Sequence, residues 1–158
     1  MREIKFRGKR LDNGEWVYGD LLHIDGSCLI YFGSKNQTSE LEIDSNYAIA
    51  VEIFRDEIAV VDPVTVGQYT GLKDKNGKEI YEGDIVKWSF FTYDCRGESE
   101  QILTCIVKWH QGGLILEVIA DDFDNAGFYA ISDLNTDSES DAEVIGNIHD
   151  NTKLLKTE

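Results

Sequence analysis

The sequence predicts a mainly β protein of antiparallel sheets with little helix. Short apolar runs such as Cys28 to Phe32 and Leu114 to Ile119 are punctuated by turn pairs, Asn13-Gly14, Asn76-Gly77 and Gly112-Gly113 among them. That is the pattern of strands joined by hairpins, not of amphipathic helices. Fourteen glycines and a single proline suit many tight turns better than long loops. A chain of 158 residues with 42% hydrophobic content, including 7 Phe, 7 Tyr and 3 Trp, can bury a core as one domain or as two small lobes.

Ile4 to Arg10 and Glu15 to Leu22 form a first predicted hairpin around Asp12-Asn13-Gly14, with Phe6, Trp16 and Tyr18 supplying side chains that suit a pleated surface. Cys28 to Phe32 reads as a short buried strand and Gly33 to Ser39 as a polar loop. Tyr47 to Phe54 alternates as a strand does, yet its alanines leave a short helix open. Ile58 to Val61 is a strand that runs into Asp62-Pro63. Proline cannot donate to a ladder and pushes the residue before it out of the helical region, so this pair is a break. It is the expected boundary between an N-terminal β lobe, residues 1–61, and a C-terminal barrel-like lobe, residues 62–158, packed as one unit.

Val66 to Val86 is the most closely specified stretch. Asn76-Gly77, between Leu72 and Ile80-Tyr81, can adopt the positive φ angles that a type I′ hairpin loop or a close relative requires. Gly83 is expected in a conformation closed to residues bearing a Cβ, and Asp84 as a backbone-capping carboxylate, together turning the chain into a long strand. Asn76, Gly77, Gly83 and Asp84 are therefore expected as structural turn residues. Asn13-Gly14 followed by Gly19-Asp20 parallels Asn76-Gly77 followed by Gly83-Asp84, with one inserted residue that a bulge at Glu82-Gly83 would absorb. An internal repeat and recurrence of favourable turn chemistry both stay open.

Ile85 to Tyr93, Ile102 to Trp109 and Leu114 to Ile119 are three strands with the largest hydrophobic mass, the latter two joined through Gln111-Gly112-Gly113. Asp121 to Asn125 is a surface turn, Phe128 to Ile131 a short strand, and Asn135 to Asp141 a solvated acidic loop. Glu143 to Ile148 closes the sheet, and Thr152 to Leu155 forms one helical turn. Gly-Asp with two apolar residues, a long strand, a hairpin and a closing strand, in that order, resembles small SH3-like barrels.

The formal net charge is −15 and is unevenly spread. Residues 1–10 carry Arg2, Lys5, Arg7, Lys9 and Arg10 against Glu3, whereas residues 109–152 carry ten acidic side chains and no Lys or Arg. That field repels phosphate backbones over the C-terminal half. Solubility is its plain reading, and mimicry of a nucleic acid's charge is its sharper one. No apolar run approaches the roughly 18 residues of a membrane span, and Met1 to Arg10 lacks the apolar stretch of a secretion signal. A cytoplasmic protein without a membrane partner is expected. Cys28, Cys95 and Cys105 form no CxxC pair and are expected as free thiols. His23, His110 and His149 stand at no ligand spacing, so no metal site is expected.

TGLKDKNGKEIYEGDIV, preceded by Asp62-Pro63 and Val66-Gly67-Gln68-Tyr69 and followed near the end by EVIGNIHDNTKLL, resembles the signature of the YopX-type proteins of bacteriophages and prophages. REIKFRGKRLDNGEWVYGDLL resembles that family's opening. The likeness covers the two ends and the centre, while Ile24 to Arg55 and Phe90 to Ser140 match no pattern. It implies an all-β phage protein of unassigned activity, located in the cytoplasm of a host bacterial cell.

No GxSxG, HExxH, GxGxxG or GxxxxGK(S/T) occurs, so no catalytic residue, no cofactor and no enzymatic activity are expected. Lys75, Lys78, Tyr81, Trp88 and Trp109 form the candidate interaction surface, since aromatics between lysines can stack single-stranded bases. The structural alternative is that the aromatics pack a core and the charged hairpin shields a sheet edge. The leading expectation is a non-enzymatic phage accessory protein that contacts a host or phage protein. The alternative is a small-barrel nucleic-acid-binding protein using the central hairpin and the strands after it. A homo-oligomer is left open.

Overall fold

A computed structural model describes residues 3–33, 57–121, 127–135 and 141–155. The strand-or-helix expected at Tyr47 to Phe54 lies outside them, as do most of the loop from Gly33, the turn after Asp121 and the acidic loop before Asp141. The elements are β1 Phe6–Lys9, β2 Trp16–Ile24, β3 Ser27–Tyr31, β4 Ile58–Val61, β5 Gly67–Lys73, β6 Glu79–Tyr81, β7 Asp84–Asp94, β8 Gly97–His110, β9 Gly113–Asp121, β10 Phe128–Ala130 and β11 Asp141–Asn147. Short 3-10 helices occupy Pro63–Thr65, Ile131–Asn135 and Thr152–Leu155. Every strand pair is antiparallel, as expected. Two compact units divide the chain: Ile4–Gln68, and the part from Tyr69 onward with residues 1–3.

In the first unit the strand order is β4-β3-β2-β1, and β1 also pairs with the start of β5 through Phe6↔Gln68 and Arg7↔Gly67. Alternation along the strands sends Phe6, Val17, Leu21, Cys28, Ile30 and Val61 to one face, where they pack together. Gly8 is needed there because a Cβ would meet Val61 side-chain carbons at 2.9 Å. One bridge, Arg10↔Val61, brings the end of β1 to β4, flanked by Leu11 N donating to Val60 O and Asp62 N to Lys9 O. A barrel needs a continuous ladder at that seam, and none is found among the described residues. Asp62-Pro63 forms a cap and first turn: the Asp62 carboxylate accepts Val64 N, and proline sits at the start of the 3-10 helix.

In the second unit the end of β5 pairs with β6, and a five-stranded sheet runs β10-β9-β8-β7-β11. Its core includes Val86, Trp88, Leu103, Val107, Leu116 and Val144, with Ile80 of β6 buried among them. Burial alternates along β8, with Leu103, Cys105 and Val107 buried and their neighbours less so, which is the period of a strand with one covered face. β7 matches the expected Ile85 to Tyr93 to within one residue at each end, whereas β8 is longer than the apolar pattern implies. Pairing continues out to Asp94↔Gly97 through the polar residues Gly97 to Gln101.

The turn chemistry differs from expectation at the central hairpin. Only Gly77 has positive φ there, at 80°; Asn76 does not, so the loop is not type I′. The Asp74 carboxylate accepts the backbone N–H of Asn76 and of Lys78, and this local bonding favours a right-handed turn ending in a left-handed glycine. Paired positive φ values occur instead at Asp25-Gly26 and Gln111-Gly112, which join β2 to β3 and β8 to β9. Gly83 has φ 83°, as expected, and turns the chain from β6 into β7. The two Asn-Gly to Gly-Asp stretches are built differently, because Gly19 lies inside the uninterrupted β2 whereas Gly83 is a turn. Asp20 is exposed, and Asp84 is fully buried.

Candidate interaction surface

The central motif resolves into two backbone clamps. Asp74 is buried at the tip of the β5–β6 hairpin. Its Oδ1 accepts Asn76 N at 2.8 Å and Lys78 N at 2.9 Å, and its Oδ2 accepts Val144 N of β11 at 3.1 Å. Burial pushes this carboxyl up, but the N–H groups of Val144, Lys78 and Asn76 together hold it below the ordinary carboxylate range. Lys75 N donates to Ala142 O alongside, so the hairpin tip is tied to β11 by main chain and side chain.

The second clamp centres on Gly83 and Asp84. Asp84 Oδ2 accepts Tyr81 N at 2.8 Å and closes the β6–β7 turn. Gly83 N donates to Val107 O of β8, and Gly83 O accepts Ile148 N just after β11. The final motif is organised likewise. Asn147 Oδ1 accepts His149 N and Asp150 N, while Asn151 Oδ1 accepts Asn147 N. Gly146 lets that side chain approach, since a Cβ there would lie 2.6 Å from Asn151 Oδ1.

These roles redistribute the expected surface residues. Tyr81 is 2% and Trp88 4% exposed, so both lie in the core and neither can stack a ligand. Trp88 packs against Phe90 and edge-on against Tyr129, while Tyr81 contacts the Tyr69 ring and donates its hydroxyl to Glu79. Trp109 is half exposed near the β8–β9 turn. Lys78 is exposed at the hairpin. Lys75 is exposed as well, but its Nζ lies 3.2 Å from Asp141 and 3.0 Å from Glu143, and those hydrogen bonds, Glu143 foremost, raise its pKa. Lys108 is paired with Glu117. Burial of Tyr81 and Trp88 thus leaves the exposed Lys75 and Lys78 without two of the aromatics near them in the sequence. Asn76, Gly77 and Gly83 lie between strands, whereas Asp84 is the first residue of β7 and reaches back to the turn with its carboxylate.

What the outer face of the five-stranded sheet offers is a shallow pocket of about 190 Å³ lined by Lys75, Lys87, Glu100, Ile102 and Glu143 with neighbouring polar groups. It is open and mixed in charge. Among the described residues no three His, Cys, Asp or Glu side chains gather as a metal site would need. Cys28 and Cys105 are buried thiols and Cys95 an exposed one. No helix among the described residues is long and apolar enough to cross a membrane.

The described residues thus define a small β protein of two antiparallel units, in which Asp74, Gly83 and Asp84 of the central motif bond the backbone of neighbouring strands. The chain belongs to the YopX protein family, whose model matches residues 5–156. Among solved structures it is similar to protein EF1440 from Enterococcus faecalis, at 26% identity over 99% of this chain and 100% of that one, with a TM-score of 0.50. No curated protein matches it.

Proposed function

We propose that this protein is a phage or prophage accessory protein that acts without catalysis, through contacts with a host or phage protein in the bacterial cytoplasm. One observation carries the reading: Asp74, Gly83, Asp84 and Asn147 of the family motif each make hydrogen bonds to the chain's own backbone. Among the described residues, the outer sheet surface and the exposed β5–β6 hairpin remain for contact with a partner, on a chain with a formal net charge of −15. The pairing of Lys75 in the central hairpin and of Lys108 in β8 with carboxylates argues against phosphate binding through the hairpin and the strands after it.

Affinity capture from lysogenic host cells, run beside a metabolite turnover screen, tests it. A saturable protein partner and no turnover is the expected result. Turnover with no partner overturns the reading, and a gel shift of DNA or RNA at low salt overturns it in favour of nucleic-acid binding.

A further inference from the structure

Two hairpin tips carry an Asn-Gly pair, and the fold holds them differently. Asn13-Gly14 lies between β1 and β2, Asn76-Gly77 lies between β5 and β6, and all four residues are exposed. In each pair only the glycine is left-handed, with φ of 72° at Gly14 and 80° at Gly77. Each glycine N–H also donates to a carbonyl, Gly14 to Arg10 O at 3.0 Å and Gly77 to Asp74 O at 2.9 Å. The asparagine side chains are where the tips diverge. Asn13 is held at both ends of its amide, since Oδ1 accepts Glu15 N at 2.9 Å and Nδ2 donates to Glu15 Oε2 at 2.9 Å. The Asn76 side chain makes no hydrogen bond among the described residues, although its backbone N–H and that of Lys78 are both fixed by Asp74 Oδ1.

We infer that Asn76 is a modification site: it deamidates in the folded protein while Asn13 is protected, and the product loosens the hold on β11. The chemistry needs only water. The Gly77 nitrogen gives up its proton to solvent and attacks Asn76 Cγ; a new C–N bond forms, the bond from Cγ to Nδ2 breaks, and Nδ2 takes up a proton and leaves as ammonia. Water then opens the resulting succinimide. Breaking the bond from the ring nitrogen to Cγ leaves aspartate, and breaking the bond to the Asn76 main-chain carbonyl leaves isoaspartate. Glycine after the asparagine permits the approach, because it brings no Cβ against the attacking nitrogen. A side chain bonded at both ends, as at Asn13, must first break those bonds to turn back over its own main chain. Isoaspartate routes the main chain through the former side chain, adding one methylene between Asn76 N and Lys78 N, the two donors that share Asp74 Oδ1. Asp74 Oδ2 meanwhile holds Val144 N of β11, so a carboxylate drawn out of place at the tip releases the closing strand.

The test incubates the full chain at mildly alkaline pH, where the attacking nitrogen loses its proton more readily, and maps the digest by mass spectrometry. Synthetic peptides of residues 10–18 and 71–79 give the rates each sequence has without the fold. Divided by its peptide's rate, Asn76 should convert about tenfold or more faster than Asn13, because two side-chain hydrogen bonds must break at Asn13 alone. Glu15→Ala, which frees Asn13 Nδ2, should narrow that gap, and Asn76→Gln should stop conversion at this position with an unchanged melting curve. The isoaspartate form, separated by ion exchange, should exchange the Val144 amide proton faster than the parent. Freshly prepared Asn76→Asp, which has the new charge without the longer main chain, should not. Equal scaled rates at Asn13 and Asn76 overturn the inference. So does an Asn76 that converts only in the urea-unfolded chain, because the bond from Gly77 N to Asp74 O would then be a sufficient brake. Val144 exchange unchanged in the isoaspartate form overturns the release of β11.

Discussion

The Asp74 carboxylate accepts the backbone N–H of Val144 at 3.1 Å, across a sequence separation of 70 residues. A charged residue at a hairpin tip, ordinarily a solvated one, here holds the closing strand of the five-stranded sheet. Asp74→Ala removes the acceptor for Val144 N, Asn76 N and Lys78 N together. Leaving buried donors unmet costs about 1 to 3 kcal/mol, and Asp74→Asn, which keeps an oxygen, should cost less. Urea titration with unchanged m-value is the measurement, and an Asp74→Ala variant as stable as the parent would refute the clamp.

Acid should act through the same carboxylate. Its folded pKa is depressed, so the stability it contributes is fully present above the unfolded value of about 3.9 and is lost as pH falls through the lower folded value. The parent should lose stability on acidification below about pH 4, and Asp74→Asn should lose less over that window. Thermal melts of both proteins from neutral pH downward decide it, since parallel curves would mean that other carboxylates govern the acid limb.

Gly77 and Gly83 both have left-handed backbones, with φ of 80° and 83°. Gly77→Val and Gly83→Val should each destabilise the second unit by about 1 to 3 kcal/mol, the usual cost of a β-branched residue at positive φ. Gly83→Val should be the worse of the two, because any shift there also disturbs the bonds to Val107 and Ile148. Lys75→Ala should cost far less than either, and its effect should shrink with added salt, since that side chain is exposed. Melting temperatures within a degree of the parent for both glycine variants would show that these turns do not organise the fold.

The tryptophans give a contrast by position. Trp88→Ala should destabilise the protein by about 3 to 5 kcal/mol, the range for truncating a large aromatic in a packed core, whereas Trp109→Ala should be mild. Trp88 is 4% and Trp109 50% exposed. Acrylamide quenching of single-tryptophan variants would check the same assignment independently, Trp109 being quenched readily and Trp88 hardly at all.

Gly19 tests whether its stretch and that of Gly83 obey different rules. A Cβ at Gly19 would fall 1.8 Å from the Tyr31 backbone oxygen, so Gly19→Ala should be strongly destabilising through close approach. At Gly83 the constraint is φ, and Gly83→Asn, whose side chain tolerates the left-handed region, should be milder than Gly83→Val. Equal losses for Asn and Val at Gly83 would contradict this account.

Strand identity was legible from residue types, because period-two burial and glycine turns are local properties. The runs at Cys28 to Phe32, Ile58 to Val61, Ile102 to Trp109 and Leu114 to Ile119 correspond to β3, β4, the inner part of β8, and β9. The outer half of β8 was not legible, since Gly97 to Gln101 are polar and form a strand only because Phe90 to Asp94 pair with them. The loop at Asn76-Gly77 keeps the expected left-handed glycine but departs from type I′ at Asn76 for a similar reason. The dipeptide permits type I′, but the Asp74 side chain, bonded both within its own turn and to β11, decides otherwise. Tertiary structure alone decided which side chains face water. Tyr81, Trp88 and Trp109 look alike in the sequence, and their exposure follows from strand register and from where each ladder ends. Those are set by hydrogen bonds between residues far apart in the chain, which no local pattern encodes.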